Sequence, residues 1–390
     1  MSLSDVWTDL AEPVLAPIKA WLAGQPLWLQ ALLLLAIPLV SVGWKKRRQL
    51  KPILHVASAT ARASFSLVRI PIRKRYSNFL ATAASRIALQ ARVDLTHELD
   101  DSDDGAWAAA QLAVVLSQRA MLSEAERTKV AAFIMSQRCT DQAYWMQKDR
   151  PPHLAVSAWC LYALTSLNHS IDLDAIQYLT QRQNDDGSWP LYADIADQSG
   201  SVFATATIAI VLNSCQDVQN IGTNELVKVA LARAEGWLIQ YCDRTRTRWK
   251  YYPSLADSPE SDSDSGLALY ALTQLSTNRS SNEDLKVAWL QSLPRIWPKH
   301  AFDRETSGHW FGQGKTAIPD IVSHLKLPWL LVATAVSYDG VGLPSRIRAL
   351  RAIEACIEQQ DWGIGGFRSY QRAELLFAIG TLQKYLRSYA

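Results

Sequence analysis

From about residue 100 onward one pattern keeps returning, and it restricts the folds open to this chain. An apolar, alanine-rich helical stretch begins each time on polar or acidic residues. Asp101–Leu116 reads DSDDGAWAAAQLAVVL, Asp197–Ile210 reads DQSGSVFATATIAI, and Asp262–Leu272 reads DSDSGLALYAL. His153 opens HLAVSAWCLYAL, Asp320 opens DIVSHLKLPWLLVATA, and Gln371 opens QRAELLFAIGTL. Asp and Ser at such boundaries cap the free N–H groups of a helix start, and carboxylates there suit the helix dipole. Most copies are followed by an amphipathic helix and then a turn ending in Trp: Trp145, Trp189, Trp249, Trp310 and Trp362, spaced by 44, 60, 61 and 52 residues. A loose period near fifty with two helices per unit is the mark of a helical repeat architecture. No such hairpin can bury its apolar helix alone, so the units must stack. Six can close into a ring, apolar helices inside and amphipathic ones outside, with the polar starts gathered on one rim.

Charge divides the chain in two. Residues 1–93 hold thirteen Lys or Arg against three acids, a net +10, and the remaining 27 bases and 34 acids leave −7. An acidic ring excludes the basic footprint that nucleic acid requires. A basic segment beside an apolar one suits anionic lipid head groups. The five Cys residues are odd in number and scattered, which points to reduced thiols.

Four segments follow in chain order. Residues 1–24 form an arm, amphipathic on a membrane surface or frayed. Residues 25–44 read as a transmembrane helix: Leu27–Trp44 carries no charge, and 18 residues rise about 27 Å as a helix, close to a hydrocarbon core. A buried core helix is the alternative. Lys45, Lys46, Arg47 and Arg48 follow at once, placing the C-terminal side in the cytoplasm. Residues 45–93 contain no acid and read as a basic helical linker at the membrane surface; from Tyr76 the pattern is helical enough to supply a first outer helix. Residues 94–390 form the ring. Strand signals are weak, so the expected class is all-α. Ser254–Ser265 (SLADSPESDSDS) reads as a mobile polar loop, and Arg244, Arg246 and Arg248 as a solvated turn.

Gln183–Trp189, QNDDGSW, resembles the Q-x3-G-x-W repeat of triterpene cyclases such as squalene–hopene cyclase. Gly308–His309–Trp310 keeps its end, and Trp145, Trp249 and Trp362 keep the Trp alone. The resemblance implies the α/α toroid shared by terpene cyclases and protein prenyltransferase β subunits, here about six helical hairpins preceded by the transmembrane helix. Asp101–Asp104, DSDD, is similar to the D-x-D-D acid motif of class II terpene cyclases, with Gly105 and Ala106 where that family commonly has Thr-Ala. By that similarity Asp103 protonates a polyprenyl double bond or epoxide, and Asp101 and Asp104 tune it. Crowded carboxylates hold one member protonated, because they cannot all ionise cheaply. Aromatic faces would stabilise the carbocation that forms next; the candidates on inner helices are Trp107, Trp159, Tyr162, Phe203, Tyr270, Trp329 and Phe377. The zinc-dependent relatives fit worse. None of the Cys residues has an Asp two positions before it, and no Cys-His pair occurs. No metal and no cofactor are expected.

The expected function is therefore a membrane-anchored, terpene-cyclase-like enzyme acting on an isoprenoid lipid, a single-pass protein of the cell inner membrane with its toroid in the cytoplasm. The alternative is a non-catalytic toroid that binds a peptide, lipid or protein partner there. Under it the Asp residues are helix caps and the aromatics are core. A deep aromatic pocket favours the enzyme; a cavity filled by side chains favours the binding module.

Overall fold

The computed structural model describes residues 78–100, 106–139, 144–145, 152–170, 172–193, 199–216, 225–275, 282–298, 303–311, 318–338, 341, 345–346, 349, 352–353 and 367–387. Packing divides the chain into two units between Arg75 and Tyr76, and the described residues all belong to the second. The arm, the expected membrane span at 25–44 and most of the basic linker lie outside the described residues. Among the described residues no helix is long and apolar enough to cross a membrane.

Helix α1 covers residues 78–100 and runs across the boundary drawn from sequence at residue 94. Then come α2 (Ala106–Ser117), α3 (Glu124–Ser136), α4 (Leu154–Ser166), α5 (Leu173–Gln181), α6 (Val202–Gln216) and α7 (Glu225–Gln240). The short strands β1 (Trp249–Lys250) and β2 (Glu260–Ser261) precede α8 (Asp262–Leu275) and α9 (Glu283–Ile296). A longer hairpin, β3 (Arg304–Phe311) and β4 (Ile318–Leu325), leads into α10 (Lys326–Ser337); α11 (Ser369–Arg387) ends the fold. α2 packs on α4, α4 on α6, α6 on α8, α8 on α10, α10 on α11, and α11 back on α2. These six helices close a ring, as the repeat pattern predicts.

The burial of each layer follows its sequence. From Ala106 to Leu116 every residue of α2 is buried, and α4, α6, α8 and α10 are nearly as enclosed. A helix apolar on all sides is stable only when surrounded. The outer helices bury one stripe: in α7 this is Val227, Ala230, Leu231, Ala234, Trp237 and Leu238. Small side chains let the inner helices approach closely. A Cβ on Gly266 of α8 would stand 2.5 Å from the Trp329 carbonyl oxygen of α10, so any larger residue there would push the two helices apart.

Trp145, Trp189 and Trp249 join the layers by one repeated device. Each indole N–H donates to a carbonyl near the end of the preceding outer helix: Ile134 at 2.7 Å, Leu179 at 2.7 Å and Leu238 at 2.8 Å. Each Trp backbone N–H donates to a hydroxyl on the following inner helix: Ser157 at 3.0 Å, Thr205 at 2.9 Å and Ser265 at 3.0 Å. Two residues after the Trp, the chain reaches back to the previous inner helix. Leu154 N–H donates to Leu191 O at 3.0 Å, and Val202 N–H to Tyr251 O at 3.2 Å. The buried polar groups of the turn are thereby satisfied, and consecutive inner helices are tied together at their starts. In the complete Q-x3-G-x-W copy, Gln183 Nε2 donates to Gly187 O and to Ala230 O of the neighbouring α7, and Gly187 takes a φ of +95° that only glycine adopts without cost.

Four expectations are corrected. Trp310 lies within strand β3, not in a helix–helix turn. Asp320 lies within β4, paired in register with His309, and the helix begins at Lys326. Residues 260–265 are not loose: Trp249 pairs with Ser261 and Lys250 with Glu260, and Asp262 starts α8. Arg248 is buried rather than solvated. Residues 260–265 and Arg248 were misread because local composition describes a polar segment as loop, while their ladder and ion-pair partners lie outside it.

Candidate functional site in the ring interior

Glu374 on α11 holds the interior together. It is buried, and its Oε1 lies 3.2 Å from His324 Nδ1 and accepts from Trp329 Nε1 at 3.3 Å. Trp329 packs on Phe377 with ring centroids 5.8 Å apart, and Phe377 meets Tyr270 edge-on at 5.7 Å. On the other side, the Gln111 carbonyl accepts from the indoles of Trp107 at 3.1 Å and Trp159 at 3.3 Å once its amide is oriented by those donors. Trp107 stacks on Tyr370 at 4.9 Å. Trp159 lies 6.0 Å from Tyr162, whose hydroxyl accepts from Gln118 Nε2 at 3.1 Å. All three indoles are thus pinned at Nε1, which fixes the direction of their faces.

Between these groups lies a small apolar hollow lined by Gln111, Val115, Trp159, Trp329, Ala373, Glu374 and Phe377. Its volume is about 10 Å³, against roughly 300–1,000 Å³ for a pocket that holds a small-molecule ligand. The aromatics that surround it also fill it.

The starts of α8, α10 and α11 carry a charged cluster. Glu305 on β3 accepts from the Asp262 N–H at 2.8 Å, the Ser263 N–H at 2.9 Å and the Ser263 hydroxyl at 2.6 Å. It supplies from another element the cap that α8 needs. Asp262, read from sequence as a cap, is instead an ion-pair partner: it meets Arg248 and, at 2.9 Å, Lys326. His324, at the end of β4, lies with its ring 5.2 Å from Phe203 of α6. Burial opposes charge on His324, but Glu374, then Asp264 and Glu305, outweigh it and raise its pKa to about 9. His324 is therefore an imidazolium at neutral pH.

The seven aromatics expected to line the cavity all lie on inner helices. Trp159, Trp329 and Phe377 meet at one hollow, with Tyr270 behind Phe377. Phe203 is placed against His324, Tyr162 behind Trp159, and Trp107 against Tyr370. Asp101, Asp103 and Asp104 lie outside the described residues; α2 begins two residues after Asp104. Sequence reading missed His324, Glu374, Glu305 and Gln111. The signal for Gln111 was available: it is a lone long polar residue within an otherwise apolar helix, and such a residue needs a buried partner.

Several chemistries find no support here. Burial raises the Cys160 thiol well above its ordinary range, and raises Cys215 to about 11, so neither is a ready nucleophile. Among the described residues no group of three or more His, Cys, Asp or Glu is placed to hold a metal ion. The rim cations Arg248, Lys326 and Arg372 are each paired, the last with Asp94 of α1.

No family model and no curated protein matches the chain. Solved structures do. One is an inactive variant of an alpha-1,6-mannanase from Salegentibacter sp. in complex with alpha-1,6-mannotetrose, with a TM-score of 0.54 and 12% identity, covering 78% of this chain and 99% of that one. Another is ent-copalyl diphosphate synthase from Streptomyces platensis, with a TM-score of 0.49 and 12% identity, covering 73% of this chain and 50% of that one. The match thus spans half the length of the synthase. Both neighbours are α/α toroids. At such identity the likeness concerns the fold alone: the chain folds as an α/α toroid.

Proposed function

We propose that this toroid handles an isoprenoid lipid at a membrane and starts its cyclisation with a proton from Asp103. The observation that carries the reading is the interior itself, a closed ring of inner helices whose facing side chains are oriented aromatics. Such faces suit a hydrocarbon chain and a cation formed along it. Asp101, Asp103 and Asp104 precede the inner helix that presents Trp107 and Gln111, so the acid cluster and the aromatics belong to neighbouring positions in the chain. Residues 25–44 would anchor the protein in the inner membrane with the toroid in the cytoplasm, close to a substrate that partitions into lipid.

The size of the hollow favours a second reading. A ring that stays closed would bind a peptide, lipid or protein partner at its rim without chemistry. Product analysis separates the two. Incubate the purified full-length protein with linear polyprenyl substrates, extract the lipids and identify them by mass spectrometry. Cyclised product from the wild type and none from Asp103→Asn supports the enzyme. Asn caps a helix as well as Asp does but donates no proton to an alkene. No cyclised product from either protein, or equal product from both, overturns proton-initiated cyclisation at this residue.

A further inference from the structure

We propose that the β3–β4 hairpin is the gate of the ring interior, with Glu305 and His324 as its two bolts. This rests on the interior being a ligand compartment, and it names what closes that compartment.

Three observations carry it. First, Glu305 and His324 are direct partners across the hairpin register, so one element places both side chains in the ring at the same level. Glu305 engages the start of α8, while His324 reaches Glu374 of α11 and the Phe203 ring of α6. A single hairpin therefore reaches three of the six inner helices, α6, α8 and α11. Second, His324 stands among the aromatics that would line a larger cavity: it touches Phe203, and it shares Glu374 with Trp329, which packs on Phe377. Its withdrawal, with Glu374 freed to turn, would join that space to the present hollow. Third, the closed arrangement is not built for maximal stability. His324 Nε2 and Glu374 Oε2 are buried without a hydrogen-bond partner among the described residues. A buried pair left incomplete in this way costs stability that a well-packed apolar plug would not. Such local conflicts concentrate where a protein must change state.

The other inner-helix starts differ. Those of α4 and α6 are tied by backbone bonds to Leu191 and Tyr251 and have no equivalent side-chain bolts among the described residues. The gate therefore opens on the side of α8, α10 and α11.

The test uses the full-length protein and N-phenyl-1-naphthylamine, an apolar dye that fluoresces when it leaves water. Its uptake is followed by stopped flow in the wild type, Glu305→Ala, Glu374→Gln and Ser157→Ala. Ser157→Ala weakens the Trp145 turn, away from the hairpin. Glu374→Gln keeps the side-chain shape, so it serves if Glu305→Ala does not fold. The gate predicts uptake at least about tenfold faster in Glu305→Ala and Glu374→Gln, the scale expected when charge-assisted hydrogen bonds are lost from the closed state, and an unchanged rate in Ser157→Ala. Equal acceleration in all three variants, or no uptake by any, overturns it. Competition by farnesol then tests the ligand class separately: dye uptake that farnesol does not compete with leaves the gate standing and removes the isoprenoid reading.

Discussion

The hairpins ending in α4, α6 and α8 are built alike, whereas those ending in α10 and α11 are not, and the difference comes down to one position. The fourth residue of the inner helix is Ser157 in α4, Thr205 in α6 and Ser265 in α8. Each hydroxyl takes the backbone N–H of the preceding Trp. The same position is Trp329 in α10 and Arg372 in α11. Trp329 points its indole at Glu374, and Arg372 pairs with Asp94 of α1. Where the hydroxyl is kept, the Trp N–H of the turn is bonded and the turn serves as frame. Where it is lost, a β-hairpin replaces the turn before α10, and buried charges enter the ring. The regular region repeats one bonding device, while the irregular region brings the buried His324–Glu374 pair into the ring.

The largest expected effect lies in the frame. Trp189→Ala should destabilise by about 3–5 kcal/mol, the usual cost of removing a large core aromatic, read as the shift in urea midpoint; a midpoint equal to the wild type would show that the repeated device is not structural. Next comes the pH dependence of the irregular region. The folded pKa of His324 is raised to about 9, above the usual unfolded value near 6.5. Its pairing thus contributes stability that is fully present below about pH 6.5 and is lost as pH rises through about 9. Urea midpoints between pH 6 and 10 should fall in the wild type and flatten in Glu374→Gln. Parallel curves would exclude the pair as a stabilising contact. Ser265→Ala should cost about 1–3 kcal/mol by leaving the buried Trp249 N–H unpaired. The smallest effect belongs to the surface: Lys129→Ala, which removes an exposed pair with Asp100, should change stability by less than about 1 kcal/mol.

The repeat was legible because its signals are local. An apolar run long enough to be enclosed, a Trp at the turn and polar helix starts sit within a few residues of one another, and the ring follows from stacking them. His153 shows it in one residue: read as a helix start, it is the N-cap of α4, with Nδ1 accepting from the Val156 N–H at 3.3 Å. The charged cluster was illegible for the opposite reason. Glu305 caps a helix that begins 43 residues earlier, and His324 meets a carboxylate 50 residues later. Asp262 sits where a cap belongs, and only the arrival of Arg248 and Lys326 turns it into an ion-pair partner. The β-hairpin was missed because Gly308–His309–Trp310 matches the end of the helical repeat, and that match hid the strand around it.

Amide hydrogen exchange tests most directly whether the frame and the opening side are distinct parts of the ring. If they are, the first turns of α10 and α11 exchange faster than the first turns of α4 and α6, and Glu305→Ala widens the gap without touching α4 or α6. Equal protection at all four helix starts, or faster exchange at α4 and α6, would contradict that division.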